Sequence, residues 1–152
     1  WLHAAAHQGF VRSQYTLGKM FSYGLGVPRD QVQAFDWIHK AAINGNRRAE
    51  YNIGKMYRDG IGTEASLEKA VDWYRRSAVQ GYAKAQASLA LRYAKGEGVE
   101  QDMVTAFFWM TMAAEQGLPR ALTSRTKLAE EMSAADIEAA RERIAEWKTG
   151  SD

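Results

Sequence analysis

Two histidines, His3 and His7, lie four positions apart near the start of the chain. On a helix this spacing places both imidazoles on one face, where two ring nitrogens could bind a metal ion. A zinc or similar site needs further ligands, and no Cys or carboxylate lies in register with the pair. We therefore expect no metal site and no cofactor.

Two Ser-x-x-Lys sequences, Ser66 to Lys69 and Ser124 to Lys127, could supply a nucleophilic serine with a nearby lysine. In serine β-lactamases this motif acts together with Ser-Asp-Asn and with a Lys-Thr-Gly on a strand beside the nucleophile. Residues 148–150 do read Lys-Thr-Gly, but Ser-Asp-Asn does not occur in the chain. We therefore expect a protein that is not an enzyme.

Positive side chains recur at two positions that lie seven residues apart and repeat every 36 residues. The first position is basic four times and the second three times, at Arg12, Arg48, Lys84 and Arg120, and at Lys19, Lys55 and Lys127. Four further residues belong to the same helix face by their spacing, namely Tyr15, Tyr51, Arg58 and Leu91. Such a basic face is typical of a surface that binds an acidic segment.

The same period of 36 residues governs the rest of the chain. It separates four tryptophans and four glycines, Trp1, Trp37, Trp73 and Trp109, and Gly9, Gly45, Gly81 and Gly117. A period of this length indicates a tandem array of supersecondary units. We place the units at residues 10–45, 46–81 and 82–117, with half a unit at 1–9 and a degenerate unit with a cap at 118–152.

Each unit reads as two helices joined by a glycine loop. In the first unit the helices are separated by Gly24-Leu25-Gly26-Val27-Pro28, which cannot continue a helix. Asp30 then stands at an N-cap position, and the equivalent residues Ser66 and Asp102 are also good caps. The repeated tryptophans lie beside Ala pairs, so we expect them in the core rather than as stacking platforms, with Trp73 at its centre.

The fourth unit departs from the pattern. Arg125 stands where the other units have Leu17, Ile53 and Leu89. Ser133 begins a last helix whose apolar residues share one face, namely Ile137, Ala140, Ile144 and Trp147. One apolar face and one charged face is what the terminal cap of an array requires.

Composition sets broad limits. Of 152 residues 46% are hydrophobic and 25% are charged, so the chain can bury a core. The net charge of +2 is too small to indicate nucleic acid, and no apolar run is long enough for membrane insertion. There is no Cys, which excludes disulfides and leaves the compartment open. Because the chain begins at Trp1, within a repeat, we expect a monomeric fragment of a larger protein.

The repeated pattern resembles the Sel1-like repeat, a relative of the tetratricopeptide repeat. It is carried in the first unit by Leu17-Gly18, Phe21, Gly24, Gly26, Asp30, Ala34, Trp37, Ala41-Ala42 and Gly45. The chain departs from the pattern at Ser13, Ser77 and Ala90. The resemblance implies an all-α, right-handed superhelical solenoid of helix pairs that serves as an adaptor for protein partners. It also favours a bacterial protein of the periplasm or cell envelope, with the cytoplasm as the alternative.

We therefore predict a non-enzymatic scaffold whose concave basic face binds an acidic protein or peptide segment. In the third unit Ala87, Leu91 and Ala94 replace the polar positions, so we expect an apolar anchor beside Lys84. Two alternatives remain. The same basic face could bind an anionic glycan or peptidoglycan of the cell envelope, or the array could be a structural spacer within a larger protein.

Overall fold

The computed structural model describes residues 1–150, and every regular element in that range is a helix. The helices are α1 (Leu2–His7), α2 (Val11–Tyr23), α3 (Gln31–Ile43), α4 (Arg47–Asp59), α5 (Leu67–Val79), α6 (Ala83–Lys95), α7 (Met103–Glu115), α8 (Pro119–Glu131) and α9 (Ala134–Thr149). The all-α fold predicted from the sequence is confirmed. The chain divides into two compact units, unit 1 at Trp1–Gln80 and unit 2 from Gly81 onward.

The predicted caps begin the second helix of each repeat. Asp30, Ser66 and Asp102 each accept a hydrogen bond from the backbone N–H three residues later, at 3.1, 3.2 and 3.0 Å. Ser133 does the same for Asp136 at 3.1 Å and begins α9. Each bond satisfies a donor that the helix itself cannot satisfy, an effect that stabilises by about 1 kcal/mol.

The loops between paired helices require glycine for a conformational reason and, at Gly62, also for a steric one. Gly60 ends α4 in the left-handed region at φ 68°, and Gly62 has φ 72°. A Cβ atom at Gly62 would collide with the backbone carbonyl oxygen of Gln31. Because L-residues other than glycine rarely adopt such φ values, both positions require glycine.

In unit 1, α2 packs on α3 and α4 packs on α5, with a glycine at each crossing. A Cβ at Gly54 would lie 2.6 Å from the Tyr74 ring, and one at Gly18 would collide with the Ile38 side chain. In unit 2 the equivalent positions are Ala90 and Met110, which are both buried. The unbranched Met side chain can leave room for a methyl group that the rigid Tyr ring cannot.

The tryptophan positions are not all core. Trp37 is 6% exposed and Trp109 is 6% exposed, as predicted, but Trp1 is 97% exposed and Trp73 is only partly buried. Trp37 is covered by His3 and His7 of α1, at ring-centroid distances of 5.4 and 4.9 Å. No helix in residues 1–150 gives Trp1 such a cover. The largest fully buried side chain in unit 1 is instead that of Tyr74, which is 0% exposed.

The departure at Ser77 is explained by a hydrogen bond. Ser77 is completely buried, and its hydroxyl donates to the backbone carbonyl oxygen of Arg47 at 2.7 Å. The equivalent residues Ala41 and Ala113 have no group that could do this. The serine therefore links the end of α5 to the start of α4.

In unit 2 the last helix covers α7. Ala140 and Ile144 of α9 are buried, and the Trp147 ring lies 5.7 Å from the rings of Phe108 and Trp109. Arg143 donates a hydrogen bond to the Thr105 hydroxyl at 2.7 Å and lies over the Phe108 ring. The face of α9 that the sequence predicted to be apolar is the face that packs.

Candidate functional site

The side chains of the predicted binding face differ in how far they are exposed to solvent. Five are exposed, namely Arg12, Arg48, Lys84, Arg120 and Lys127. Five are half-buried, namely Tyr15, Lys19, Lys55, Arg58 and Leu91. Those in unit 1 lie on α2 and α4, and those in unit 2 lie on α6 and α8.

Three of the predicted residues in unit 1 meet in one cleft of about 260 Å³. Its charged lining consists of Lys19, Arg29, Lys55, Arg58 and Asp59. Its apolar lining consists of Tyr23, Ile38, Met56 and Ile61. We call this the cationic cleft.

The charges in the cationic cleft do not cancel. Arg58 donates two hydrogen bonds to Asp59, at 2.8 and 2.9 Å, and this pairing raises the pKa of the Arg58 guanidinium. Among residues 1–150, Asp59 is the only acid that lines the cleft, and Arg58 donates to both of its carboxylate oxygens. Over the described part of the chain, no ion pair is formed by Lys19, Arg29 or Lys55. The cleft therefore presents three cations that no neighbouring carboxylate neutralises.

Two of these cations lie over the faces of tyrosine rings. The Lys19 ammonium lies 5.0 Å from the centroid of the Tyr23 ring, and the Lys55 ammonium lies 5.1 Å from that of Tyr51. Attraction of a cation to an aromatic face is worth about 0.5–1 kcal/mol where water is present. Asn52 of α4 donates a hydrogen bond to the Tyr15 hydroxyl of α2 at 2.9 Å. These contacts restrict the lysines to positions over the rings and join the two helices.

Two residues of the predicted binding face need correction. Tyr51 is 8% exposed because its ring packs 5.8 Å from the Tyr74 ring, so it offers a partner little contact area. Ala87, which was expected to form part of an apolar anchor, is 3% exposed. Leu91 and Ala94 are half-buried and remain accessible in part.

Sequence reasoning missed several residues of the cleft. Arg29, Tyr23 and Asn52 are not repeated, since their equivalents 36 positions later are Ala65, Asp59 and Ser88. A method that reads equivalent positions finds what all repeats share. It therefore cannot find what only one repeat possesses.

A repeated hydrogen bond from an exposed amide to a buried Gln or Glu also escaped notice. Asn44 donates to Gln14 at 3.4 Å, Gln80 donates to Glu50 at 2.8 Å, and Gln116 donates to Gln86 at 2.7 Å. Gln14 and Gln80 also reach back to the carbonyl oxygens of Ala6 and Gly45. The acceptor residues Gln14, Glu50 and Gln86 are buried. Because these acceptor residues recur every 36 positions, the sequence alone could have identified them.

The residues whose spacing suggested a metal site or a nucleophilic serine instead take part in ring packing, helix capping and an ion pair. The rings of His3 and His7 lie 4.6 Å apart and pack on Trp37. Ser66 is a helix cap, and Lys148 forms an ion pair with Glu115 at 2.8 Å. Residues 1–150 contain no group of three or more His, Cys, Asp or Glu side chains placed to hold a metal ion. None of the helices in that range has both the length and the apolar character needed to cross a membrane.

Three solved structures with the same fold are those of bacterial proteins. A Sel1 repeat protein from Oxalobacter formigenes is 33% identical, with a TM-score of 0.75 over 78% of this chain and 49% of that one. The protein c5321, a protective antigen of uropathogenic Escherichia coli with an SLR fold, is 40% identical, with a TM-score of 0.77 over 80% of this chain and 26% of that one. Helicobacter pylori cysteine rich protein B has the same fold at 20% identity, with a TM-score of 0.64 over 80% of this chain and 92% of that one.

The chain thus spans about half of the first of these proteins and about a quarter of the second. No curated protein matches its sequence. The family model for the Sel1 repeat matches three consecutive segments, residues 11–46, 47–82 and 83–118. The chain therefore belongs to the Sel1 repeat family, whose helical repeats generally serve as protein-interaction scaffolds and are typically not catalytic.

Proposed function

We propose that this chain is a non-enzymatic adaptor that binds an acidic segment of a protein partner through its basic face. The observation that carries the proposal is the cationic cleft, where Lys19, Arg29 and Lys55 have no ion-pair partner among residues 1–150. The other predicted positions lie on α2 and α4 in unit 1 and on α6 and α8 in unit 2.

Electrostatics favours an acidic ligand in the cleft. Cations gathered in a concave, partly apolar surface focus the field and raise the local concentration of anionic groups. A partner carboxylate that approaches Lys19 and Lys55 meets ammonium groups that form no ion pair with any residue from 1 to 150. Bonds of this charge-assisted kind contribute about 1.5–3 kcal/mol each.

The apolar lining of the cleft indicates which kind of side chain should lie next to the acidic residue in the partner's sequence. Tyr23 and Ile61 are exposed large hydrophobic residues, and Met56 lies beside them in the lining. An aliphatic or aromatic side chain next to the acidic residue would cover them. We therefore place the apolar anchor in unit 1, beside the cations, in addition to the Leu91 position in unit 2. An acidic residue flanked by apolar ones is the motif we expect.

The test uses a capped peptide that alternates acidic and leucine residues, with its Asn/Gln counterpart as the uncharged control. Lys19→Glu with Lys55→Glu should reduce binding of the acidic peptide by about a hundredfold, since two charge-assisted contacts become repulsive. Binding should also weaken as salt rises, because the screening length falls below about 10 Å above 0.1 M. Isothermal titration calorimetry measures both effects.

A matched control separates the cleft from net charge. Lys40 and Lys69 also lie over aromatic rings, at 4.3 Å from Trp37 and 5.5 Å from Tyr57, but they belong to α3 and α5 and do not line the cleft. Lys40→Glu with Lys69→Glu changes the charge by the same amount and should leave most of the affinity. Equal losses in both double variants would contradict the cleft. Retention of an anionic glycan with no peptide binding would favour the glycan alternative.

A further inference from the structure

Arg125 occupies a position that is otherwise core. Its equivalents Leu17, Ile53 and Leu89 are 3%, 0% and 0% exposed, while Arg125 on α8 is half-buried. Removing a guanidinium from water costs free energy unless an anion or hydrogen-bond acceptor replaces the water. Because Arg125 is half-buried, an anion bound to its guanidinium would replace part of the water that this position excludes.

A second cavity in unit 2 contains Arg125. Its volume is about 400 Å³, within the range of ligand pockets, and it is lined by Phe107, Thr111, Glu115, Arg125, Arg141 and Ile144. These residues come from α7, α8 and α9, the three helices at the C-terminal end of the array. We call this the arginine pocket.

The arginine pocket has an excess of positive charge and contains the Thr111 hydroxyl, which has no hydrogen-bond partner among residues 1–150. Its one acid, Glu115, pairs with Lys148 at 2.8 Å, and neither Arg125 nor Arg141 forms an ion pair within the described residues. Thr111 is 7% exposed, and its hydroxyl oxygen is buried without a hydrogen-bond partner. Buried polar atoms are nearly always paired in folded proteins, so this hydroxyl indicates a missing partner.

We propose that the arginine pocket binds an organic carboxylate with an apolar body. Two guanidinium groups offer planar arrays of donors that match the two oxygens of a carboxylate, and the Thr111 hydroxyl adds a further polar contact. Phe107 and Ile144 line the same pocket, so an apolar body on the ligand loses water against them. The site is separate from the basic face of unit 1, and it stands or falls independently of the adaptor function.

The carboxylate could belong to a free small molecule or to the C-terminus of a peptide. Three probes distinguish these sources: 3-phenylpropionate, a short peptide ending in Phe with a free carboxylate, and the same peptide as its amide. Sulfate serves as an anion that lacks an apolar body. Each is titrated by calorimetry at neutral pH against the whole chain.

Arg125→Leu restores the residue type of the other repeats, so the variant should fold and show an unchanged or higher Tm. It should bind 3-phenylpropionate or the Phe-terminated peptide at least about tenfold more weakly, because a charge-assisted contact is lost. Arg141→Gln should also weaken binding, and it tests the pocket should Arg125→Leu fail to fold. Lys95→Gln on α6, an exposed position outside both the pocket and the predicted basic face, should leave binding unchanged.

Tighter binding of the peptide than of 3-phenylpropionate would identify the source as a partner's C-terminus, and the reverse would identify a small molecule. Equal binding of the amide, or sulfate binding as strong as that of 3-phenylpropionate, would overturn the proposal. So would the absence of heat at millimolar concentrations of every probe.

Discussion

Unit 1 and unit 2 repeat the same 36-residue pattern, and both carry cations on the first helices of their repeats, but among the described residues unit 2 also has a cation at a position that is core in the other repeats. In unit 1 the cations stand on exposed and half-buried positions of the first helices, and the core positions Leu17 and Ile53 stay apolar. In unit 2 a cation, Arg125, stands on the core position itself. A repeat can thus acquire positive charge either on its outer face or at a position that is apolar core in the other repeats.

The core of unit 1 should depend on Tyr74 more than on any tryptophan. Tyr74→Ala removes a ring that is fully buried, and the loss of packing should cost about 3–5 kcal/mol. Trp73→Ala should cost clearly less, because that ring is only partly buried. Unfolding in denaturant, followed by circular dichroism, measures both. A larger loss for Trp73→Ala would show that the two positions have been assigned in the wrong order.

The helix crossings of the two units should respond differently to one methyl group. Gly54→Ala places a Cβ 2.6 Å from the Tyr74 ring and should destabilise by about 1–3 kcal/mol. Adding Tyr74→Met recreates the Ala90 and Met110 pair of unit 2 and should recover part of that loss. A double-mutant cycle measures the coupling. Additive losses would mean that the two crossings do not differ in the way described.

The smallest effect concerns pH. Glu50 stands where unit 2 has Gln86, and burial raises the pKa of Glu50 above its ordinary value of 4.5, against the opposing effects of Gln80 and Arg76. The folded state therefore holds this proton more tightly than the unfolded state. The resulting stability is present below pH 4.5 and is lost as the pH rises through the raised pKa.

Glu50→Gln should accordingly be more stable than the unchanged chain at pH 7, since its amide cannot ionise and can still accept from Gln80. The advantage should shrink as the pH falls towards 4.5. Thermal unfolding at several pH values measures it. Gln86→Glu in unit 2 is the reciprocal variant and should introduce the pH dependence there. An advantage for Glu50→Gln that grows in acid would contradict the sign.

The repeat period was enough to predict the paired helices and their caps, because these depend on residues that the units share. The cover that α9 provides was predicted from the spacing of apolar residues within that helix alone. Periodicity could not rank Trp73 against Tyr74, which are adjacent on one helix and differ in which of them points inward. It also could not foresee that Tyr51 would pack on Tyr74. Arg29 and Tyr23 of the cationic cleft occur in one repeat only, so their role required the packing of α2 on α3 and α4.

The repeated hydrogen-bonded pairs have a consequence for how such a chain can grow. Gln14 with Asn44, Glu50 with Gln80 and Gln86 with Gln116 are each 30 residues apart. Both members of a pair therefore lie within one segment of 36 residues and travel together when that segment is copied or deleted. Duplication of a whole segment leaves every pair intact, whereas a deletion that removed only one member would leave the buried Gln or Glu without its partner. The pairs thus favour a gene that lengthens in steps of one complete repeat.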